Sequence, residues 1–231
     1  MMKNKALEYL NKAPLLHNDM TECIRRGTCR LTYVNDNGVM LTFDNDESAM
    51  ISCDSLELAI ELIADFPYRL VAIHQSEMKD ELCRRYNIGR VEECWQCVYG
   101  KDEPLLLESC DIRRLGMDKL HFLLSHYEEA DEGYMTWLIQ QGVMYGIYEE
   151  NELAGFIGRH SEGSIGLLTI LPQYRRKGLG EKLLRFYVNQ ELSQGHRPYA
   201  QIFVGNEASR RLNEKIGMEF AENTVCWLWK D

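Results

Sequence analysis

The chain has 231 residues, with 26 basic against 36 acidic side chains for a formal charge of −10, and it is 45% hydrophobic and 27% charged. At roughly 100 to 200 residues per domain this is one large domain or two small ones, with the balance of a compact globular protein and not of a disordered, collagen-like or coiled-coil chain. The acidic surplus excludes a surface built mainly for nucleic acid or anionic lipid, so any polyanion must be met locally.

No apolar run approaches a membrane span, and the start at Met1, Met2 and Lys3 lacks the apolar stretch of a signal peptide, so a cytoplasmic protein is expected. The eight cysteines, Cys23, Cys29, Cys53, Cys83, Cys94, Cys97, Cys110 and Cys226, are scattered through a chain large enough to need no staples and read as reduced thiols.

Taken in chain order, residues 55–62 read as a short helix, 69–74 as a strand, 75–86 as a helix and 91–99 as a closing strand carrying Trp95. A linker is expected near residues 100–104. Residues 105–115 look extended, and 117–127 and 131–141 look like a helix pair. Residues 143–148 and 153–157 are β-prone runs joined by the polar cluster Glu149, Glu150, Asn151, Glu152, which reads as a hairpin. A third strand, 164–171, ends at Pro172, which has no N–H for a ladder. Gly178 and Gly180 then open a helix in which Leu179, Leu183, Phe186 and Tyr187 share a face, and Gly195 is placed to end it. Residues 198–204 read as a strand, 206–216 as a helix with Asn206 at its N-cap and Gly217 past its end, and 226–229 as a last strand.

The first hundred residues follow a weakened version of the same order. Gly38, Val39 and Met40 match Gly142, Val143 and Met144 at an offset of 104, and Ile88-Gly89 matches Ile216-Gly217 at 128. The extra residues are expected after the third strand, where only the second half carries a basic glycine turn. The pattern predicts an α/β protein with a mixed sheet, divided into residues 1–104 and 105–231.

Between Gln173 and Arg185 lie five cations, Arg175, Arg176, Lys177, Lys182 and Arg185, against the single anion Glu181. At a helix start, unpaired N–H groups and the positive end of the dipole favour a phosphate, and glycine lets a ligand approach the backbone. Two other phosphate loops fail: GxxxxGK[ST] does not occur, and GxGxxG breaks at Leu183.

The run Leu168, Thr169, Ile170, Leu171, Pro172 leading into Arg175, Gly178 and Gly180, followed by Asn206, Ser209, Leu212, Lys215 and Gly217, resembles the GCN5-related N-acetyltransferase (GNAT) superfamily, and within it the glycine N-acyltransferase-like branch, whose members carry a degenerate N-terminal half. The resemblance covers residues 105–231 well and the first hundred in outline. It implies a GNAT fold in the C-terminal half and a degenerate GNAT-like N-terminal half. The backbone of Leu168, Thr169 and Ile170 would pair with the pantetheine arm of acetyl-CoA as an added strand. Backbone N–H groups from Arg176 through Lys177, Gly178, Leu179 and Gly180 to Glu181, with Arg175 beside them, would hold the pyrophosphate. Asn206 and Ser209 would meet the pantetheine, and an N–H near Ile170 would face the thioester oxygen. The implied reaction is direct attack of a primary amine, of a small molecule or peptide, on acetyl-CoA as co-substrate, with no metal, nucleic acid or membrane, in a monomer or homodimer.

The catalytic groups are less plain. Where many relatives have a Tyr as acid this chain has Asn213, and where some have a Glu base it has Gln201. The position used by glycine acyltransferases aligns with Ser164, and Glu162 is the nearest carboxylate of the same strand parity, hence the candidate base. Tyr134, Tyr145, Tyr148 and Tyr199 are alternative proton donors, and a water chain could stand in for a base. An acyl-CoA sensor without turnover and an acyltransferase for longer chains are the competing readings. Cys94 and Cys97 lack a second pair for a zinc site, His121 and His126 have neither ligand nor triad spacing, Cys110 has no identifiable partner, and no GxSxG elbow exists.

Overall fold

A computed structural model describes residues 2–43, 47–64, 69–127 and 129–229. The N-terminal half runs α1 (Met2–Leu10), α2 (Asn18–Arg26), β1 (Arg30–Asn35), β2 (Gly38–Phe43), β3 (Ser48–Cys53), α3 (Leu56–Ala64), β4 (Leu70–Ile73), α4 (Lys79–Tyr86) and β5 (Arg90–Val98). The rest runs β6 (Asp111–Arg114), α5 (Leu120–Leu124), α6 (Glu132–Gln140), β7 (Tyr145–Glu149), β8 (Glu152–Arg159), β9 (Ile165–Ile170), α7 (Leu179–Ser193), β10 (Tyr199–Phe203), α8 (Glu207–Lys215) and β11 (Glu219–Trp229). Apart from β6, the second series repeats the order of the first. The expected helix over 117–127 is a 3-10 turn plus the five residues of α5, and the extended stretch 105–115 contributes only β6 to a sheet.

The element order repeats, but the two local matches that suggested it do not fall on equivalent places. Gly38 opens β2, the second strand of its half, whereas Gly142 to Met144 precede β7, the first strand of theirs. The helix ends show the true register. Asn87 after α4 and Gly217 after α8 both turn left-handed, and the next residues, Ile88 and Met218, donate back to Cys83 and Asn213 at 3.0 Å each. That is the same C-cap built twice, two residues away from the Ile-Gly match.

The strands form a seven-stranded mixed sheet in the order β1-β2-β3-β4-β11-β5-β10 and a four-stranded sheet in the order β6-β7-β8-β9. In the larger sheet the pairs β1/β2, β2/β3, β4/β11 and β11/β5 are antiparallel and β3/β4 is parallel. The last strand of the chain therefore lies between β4 and β5, with Cys226 opposite both Ile73 and Glu93. Alternation explains why β3 is buried along its whole length. Met50 packs with Tyr9, Leu10, Met20, Val39, Leu41 and Val225 under α1 and α2, while Ala49 and Ile51 pack with Ala59, Ile63, Leu82, Cys226 and Leu228 under α3 and α4. A strand covered on both faces reads as a continuous apolar run.

By compactness the chain forms two units, one of residues 1–98, 201–214 and 218–231, the other of residues 99–200 and 215–217. The second has its own core, in which Leu115, Leu123, Met135, Leu138, Met144, Phe156 and Leu167 pack together. Its first residues, the expected linker, are tied down: Arg197 donates to Lys101 O at 2.8 Å and pairs with Asp102, and the Asn189 amide bonds both the N–H and the carbonyl of Leu105. All eight cysteines are free thiols. Among the described residues no helix is long and apolar enough to cross a membrane, and no group of three or more His, Cys, Asp or Glu is arranged to hold a metal.

Candidate active site

The connection from β9 to α7 begins with a 3-10 turn, Pro172–Tyr174, whose proline sits where no N–H is needed. Arg175 is extended and its Nε donates to Ile170 O at 3.0 Å, folding the side chain back along the strand it has just left. Arg176 (φ 61°) and Gly178 (φ 78°) are both left-handed, so the chain coils tightly before the helix and turns successive N–H groups toward one side, an anion-binding geometry. Gly178 is the N-cap and supplies no side-chain cap, which leaves the first N–H groups of α7 for a ligand or water. A β-carbon at Gly178 would meet nothing within 4 Å, so glycine is needed there for its φ and not for packing.

The charges sort themselves. Glu181 is held by Arg185 at 2.8 Å and Lys215 at 2.6 Å, bonds that keep its carboxyl below the usual carboxylate range. Lys182 faces Glu108 at 3.3 Å. Lys177 lies over the Tyr174 ring at 5.2 Å. Among the described residues neither Arg176 nor Lys177 is in an ion pair. Of the five cations, three, Arg175, Arg176 and Lys177, are thus outside any ion pair among the described residues, and of these Arg175 is bonded to a backbone carbonyl.

Among the described residues β9 is the terminal strand of its sheet, so one side of its backbone has no strand partner there. It is also bulged. Phe156 pairs with Thr169 and Gly158 with Gly166, so two β9 residues, Leu167 and Leu168, oppose the single Ile157. Leu167 takes φ 54° with its side chain buried, a conformation that costs a non-glycine residue about 1 to 2 kcal/mol and persists only where packing enforces it. Leu168, Thr169 and Ile170, all half-buried, follow this kink. The bulge did leave a trace in the sequence, because strand glycines mark such places. A β-carbon at Gly155 would lie 2.5 Å from Thr169 O, and one at Gly158 would lie 2.3 Å from Met144 Sδ.

At the other end of β9, a tight turn joins it to β8, closed by His160 N–H to Ser164 O at 2.9 Å and Gly163 N–H to His160 O at 3.0 Å. Glu162 sits in this turn, half-buried, and accepts a short bond from the Ser164 hydroxyl. Tyr199 donates to Glu162 O at 2.8 Å, and Tyr134 from α6 lies 3.1 Å from His160 Nδ1. Burial, then the charge of Glu162, pushes the Tyr134 phenol up, and burial with Glu129 and Glu162 pushes Tyr127 up to about 12. Of the four alternative tyrosines, Tyr134 and Tyr199 are brought to this turn, Tyr199 by a direct bond to the Glu162 carbonyl and Tyr134 through His160. Tyr145 packs edge-on against Phe186 and Tyr187, and Tyr148 lies under Arg113. Composition and spacing gave no reason to single out His160.

The remaining candidates lie in the first unit. The Asn206 side chain accepts the Ser209 N–H at 3.1 Å, so it is engaged as the cap of α8, and Ser209 is half-buried one turn on. Asn213 is buried with its amide donating to Ser209 O at 2.9 Å. Gln201 on β10 faces inward, donating to Asp19 at 3.0 Å and Gln96 at 2.9 Å and accepting from the Trp227 indole at 2.7 Å. Asp19 is also held by His74, 2.9 Å from both carboxylate oxygens, and by the Met20 N–H. Burial opposes charge on both partners, but their mutual attraction and hydrogen bonds hold Asp19 below and His74 above their ordinary values. The amide at position 201 belongs to this interior network.

The family model described as FR47-like protein matches residues 144–228, the stretch from β7 to β11. No curated protein matches the sequence. Among solved structures, a Drosophila protein shares 16% identity over 100% of this chain and 97% of its own, with a TM-score of 0.67. An acetyltransferase from the GNAT family of Colwellia psychrerythraea shares 14% identity over 96% and 94%, with a TM-score of 0.56. A GCN5-related N-acetyltransferase-like protein of Streptococcus suis shares 13% over 97% and 99%, with a TM-score of 0.58. The chain therefore has, over its whole length, the mixed α/β fold of GNAT proteins.

Proposed function

We propose that this protein is an N-acyltransferase that moves the acetyl group of acetyl-CoA to a primary amine of a small molecule or peptide, with residues 105–231 as its catalytic half, residues 1–104 as a degenerate relative without a cofactor, and the glycine N-acyltransferase-like enzymes as its nearest branch. The observation that carries the reading is the turn before α7: two left-handed residues, an uncapped helix start and three cations, Arg175, Arg176 and Lys177, outside any ion pair among the described residues, directly after a bulged terminal strand. A pyrophosphate suits the turn, and an extended amide-bearing arm suits the backbone of Leu168, Thr169 and Ile170, where Arg175 takes up the carbonyl of Ile170. Asn206 and Ser209 are assigned to the pantetheine by resemblance. As the neutral amine attacks the thioester carbon, the oxygen gains charge, and an N–H near Ile170 would receive it. The C–N bond forms, the C–S bond breaks, and the proton leaving nitrogen is drawn toward Glu162, the proposed catalytic carboxylate.

Calorimetric titration with acetyl-CoA and CoA, followed on the same sample by thiol release across an amine panel, tests the reading. Micromolar binding with amine-dependent thiol release is expected. Binding without release favours the sensor, for which the buried, bonded Asn213 in place of a tyrosine acid is the supporting observation. Affinity that rises with acyl length points to a larger donor, and absence of binding to every acyl-CoA at millimolar concentration overturns the assignment.

A further inference from the structure

His160 occupies space that a side chain on β9 would fill. A β-carbon built on Gly166 would lie 2.4 Å from His160 Nε2 and 2.7 Å from Cδ2, so the imidazole rests on the strand only because residue 166 is glycine. The ring is fixed on its other side. Nδ1 lies 3.1 Å from the Tyr134 hydroxyl, which also accepts the Ser161 N–H at 3.3 Å, and the Tyr134 ring stacks between His160 and Trp137 with centroids 6.2 Å apart on each side. Among the described residues no hydrogen bond engages Nε2. Gly166 stands two residues before Leu168, about 7 Å along a strand and less across a bulge. The second ring nitrogen of a firmly held histidine therefore lies over Gly166, on the same strand as the backbone assigned above to the acyl arm.

We propose that the proton leaving the acceptor amine is taken by His160 Nε2 in place of the Glu162 carboxylate, with Tyr134 as its positioning residue. The proposal rests on the acyl-transfer reading. In the neutral ring Nδ1–H donates to the Tyr134 oxygen, leaving the Nε2 lone pair for the amine. Attack makes the C–N bond, the ammonium proton passes to Nε2, the C–S bond breaks, and the imidazolium returns that proton to the departing thiolate. Nothing is oxidised or reduced. The groups facing the ring are Tyr134 from α6, Ser161 and Glu162 in the turn, and uncharged Gly166 from β9. Burial and the Glu162 charge keep the Tyr134 phenol protonated, so it remains a hydrogen-bonding partner. This also gives the leaving thiolate a proton source where Asn213 offers none.

The test is thiol release against pH for the wild type and for His160→Ala, Gly166→Ala and Tyr134→Phe, with acetyl-CoA affinity measured calorimetrically for each. His160→Ala is expected to lower kcat by about 10² to 10⁴-fold, to abolish the acid limb of the kcat/KM profile, to leave the acetyl-CoA Kd within about twofold, and to be rescued in part by added imidazole. Gly166→Ala, which displaces the ring while keeping it, should lower kcat with His160 intact. Tyr134→Phe should shift the limb without removing it. A His160→Ala enzyme with wild-type kcat and pH profile overturns this proposal alone. A wild type that binds no acyl-CoA, or releases no thiol with any amine, overturns the acyl-transfer reading and this proposal together.

Discussion

Two connections in this chain solve the same geometric problem differently. After β3 the chain reaches α3 through Asp54 and Ser55 alone, and the helix start is closed from within: the Ser55 hydroxyl accepts the Leu58 N–H at 3.2 Å, while Asp54 accepts the Tyr9 hydroxyl at 2.7 Å. After β9 the chain takes residues 171–178 to reach α7 and caps it with glycine. From strand to next strand, residues 54–69 serve in the first half and 171–198 in the second, twelve more, shared between a longer turn and a helix of 15 residues in place of 9. A helix start that satisfies its own donors, with a carboxylate beside it, has nothing to offer a phosphate. One that leaves its donors uncapped, beside three cations outside any ion pair among the described residues, does. The first half keeps its charge inside instead, in the Asp19–His74 pair and the amides around it.

That contrast can be broken at its most buried point. His74→Ala leaves Asp19 fully buried without its cation, and urea denaturation should report a loss of about 3 to 5 kcal/mol. The wild-type pair also has a pH signature. Asp19 is depressed when folded, so its contribution is complete above about pH 4 and lost as pH falls through its folded value; His74 is raised, so its contribution is complete below about pH 6.5 and lost as pH rises through its folded value. The pair is at full strength between those limits. His17, held down to about 4 by burial and by the neighbouring His74, works in the opposite sense, because its neutral form is favoured in the fold and stability falls as pH drops from 6.5 toward 4.

Gly178→Val tests the second connection. The positive φ should cost about 1 to 2 kcal/mol of stability, and because no atom lies within 4 Å of the added carbon the fold should survive while acetyl-CoA affinity falls at least tenfold. Unchanged affinity would remove the phosphate role of the turn. The smallest effect is expected at the matching place in the first half: Ser55→Ala should lose about 1 kcal/mol in thermal unfolding with no change in acetyl-CoA binding. A change in binding there would mean that the first connection, too, takes part in the cofactor site.

Much of this was legible in residue order because it is local. The hairpin of β7 and β8 turns at Glu150 and Asn151, both left-handed; Asp131 caps α6 and Asn206 caps α8; Gly217 ends α8. The basic glycine turn was plain for the same reason, since its residues are neighbours in sequence. What was illegible depends on residues far apart. Gln201 looked like a site position that had lost its carboxylate, but its amide is taken up by Asp19, 182 residues away. Glu162 was reached by strand parity but sits in the turn between β8 and β9, and its link to Tyr134 needed α6 to come back over that turn.

By itself the sequence determined the order of strands and helices, the caps and the basic glycine turn, because each is set by hydrogen bonds and φ preferences spanning a few residues. Only the tertiary structure decided that β11 enters between β4 and β5, that β9 is bulged at Leu167, and that His160 lies over Gly166 against Tyr134. Pairing order, register and side-chain juxtaposition follow from burying both faces of a sheet at once, and that is a property of the assembled chain and not of any one segment.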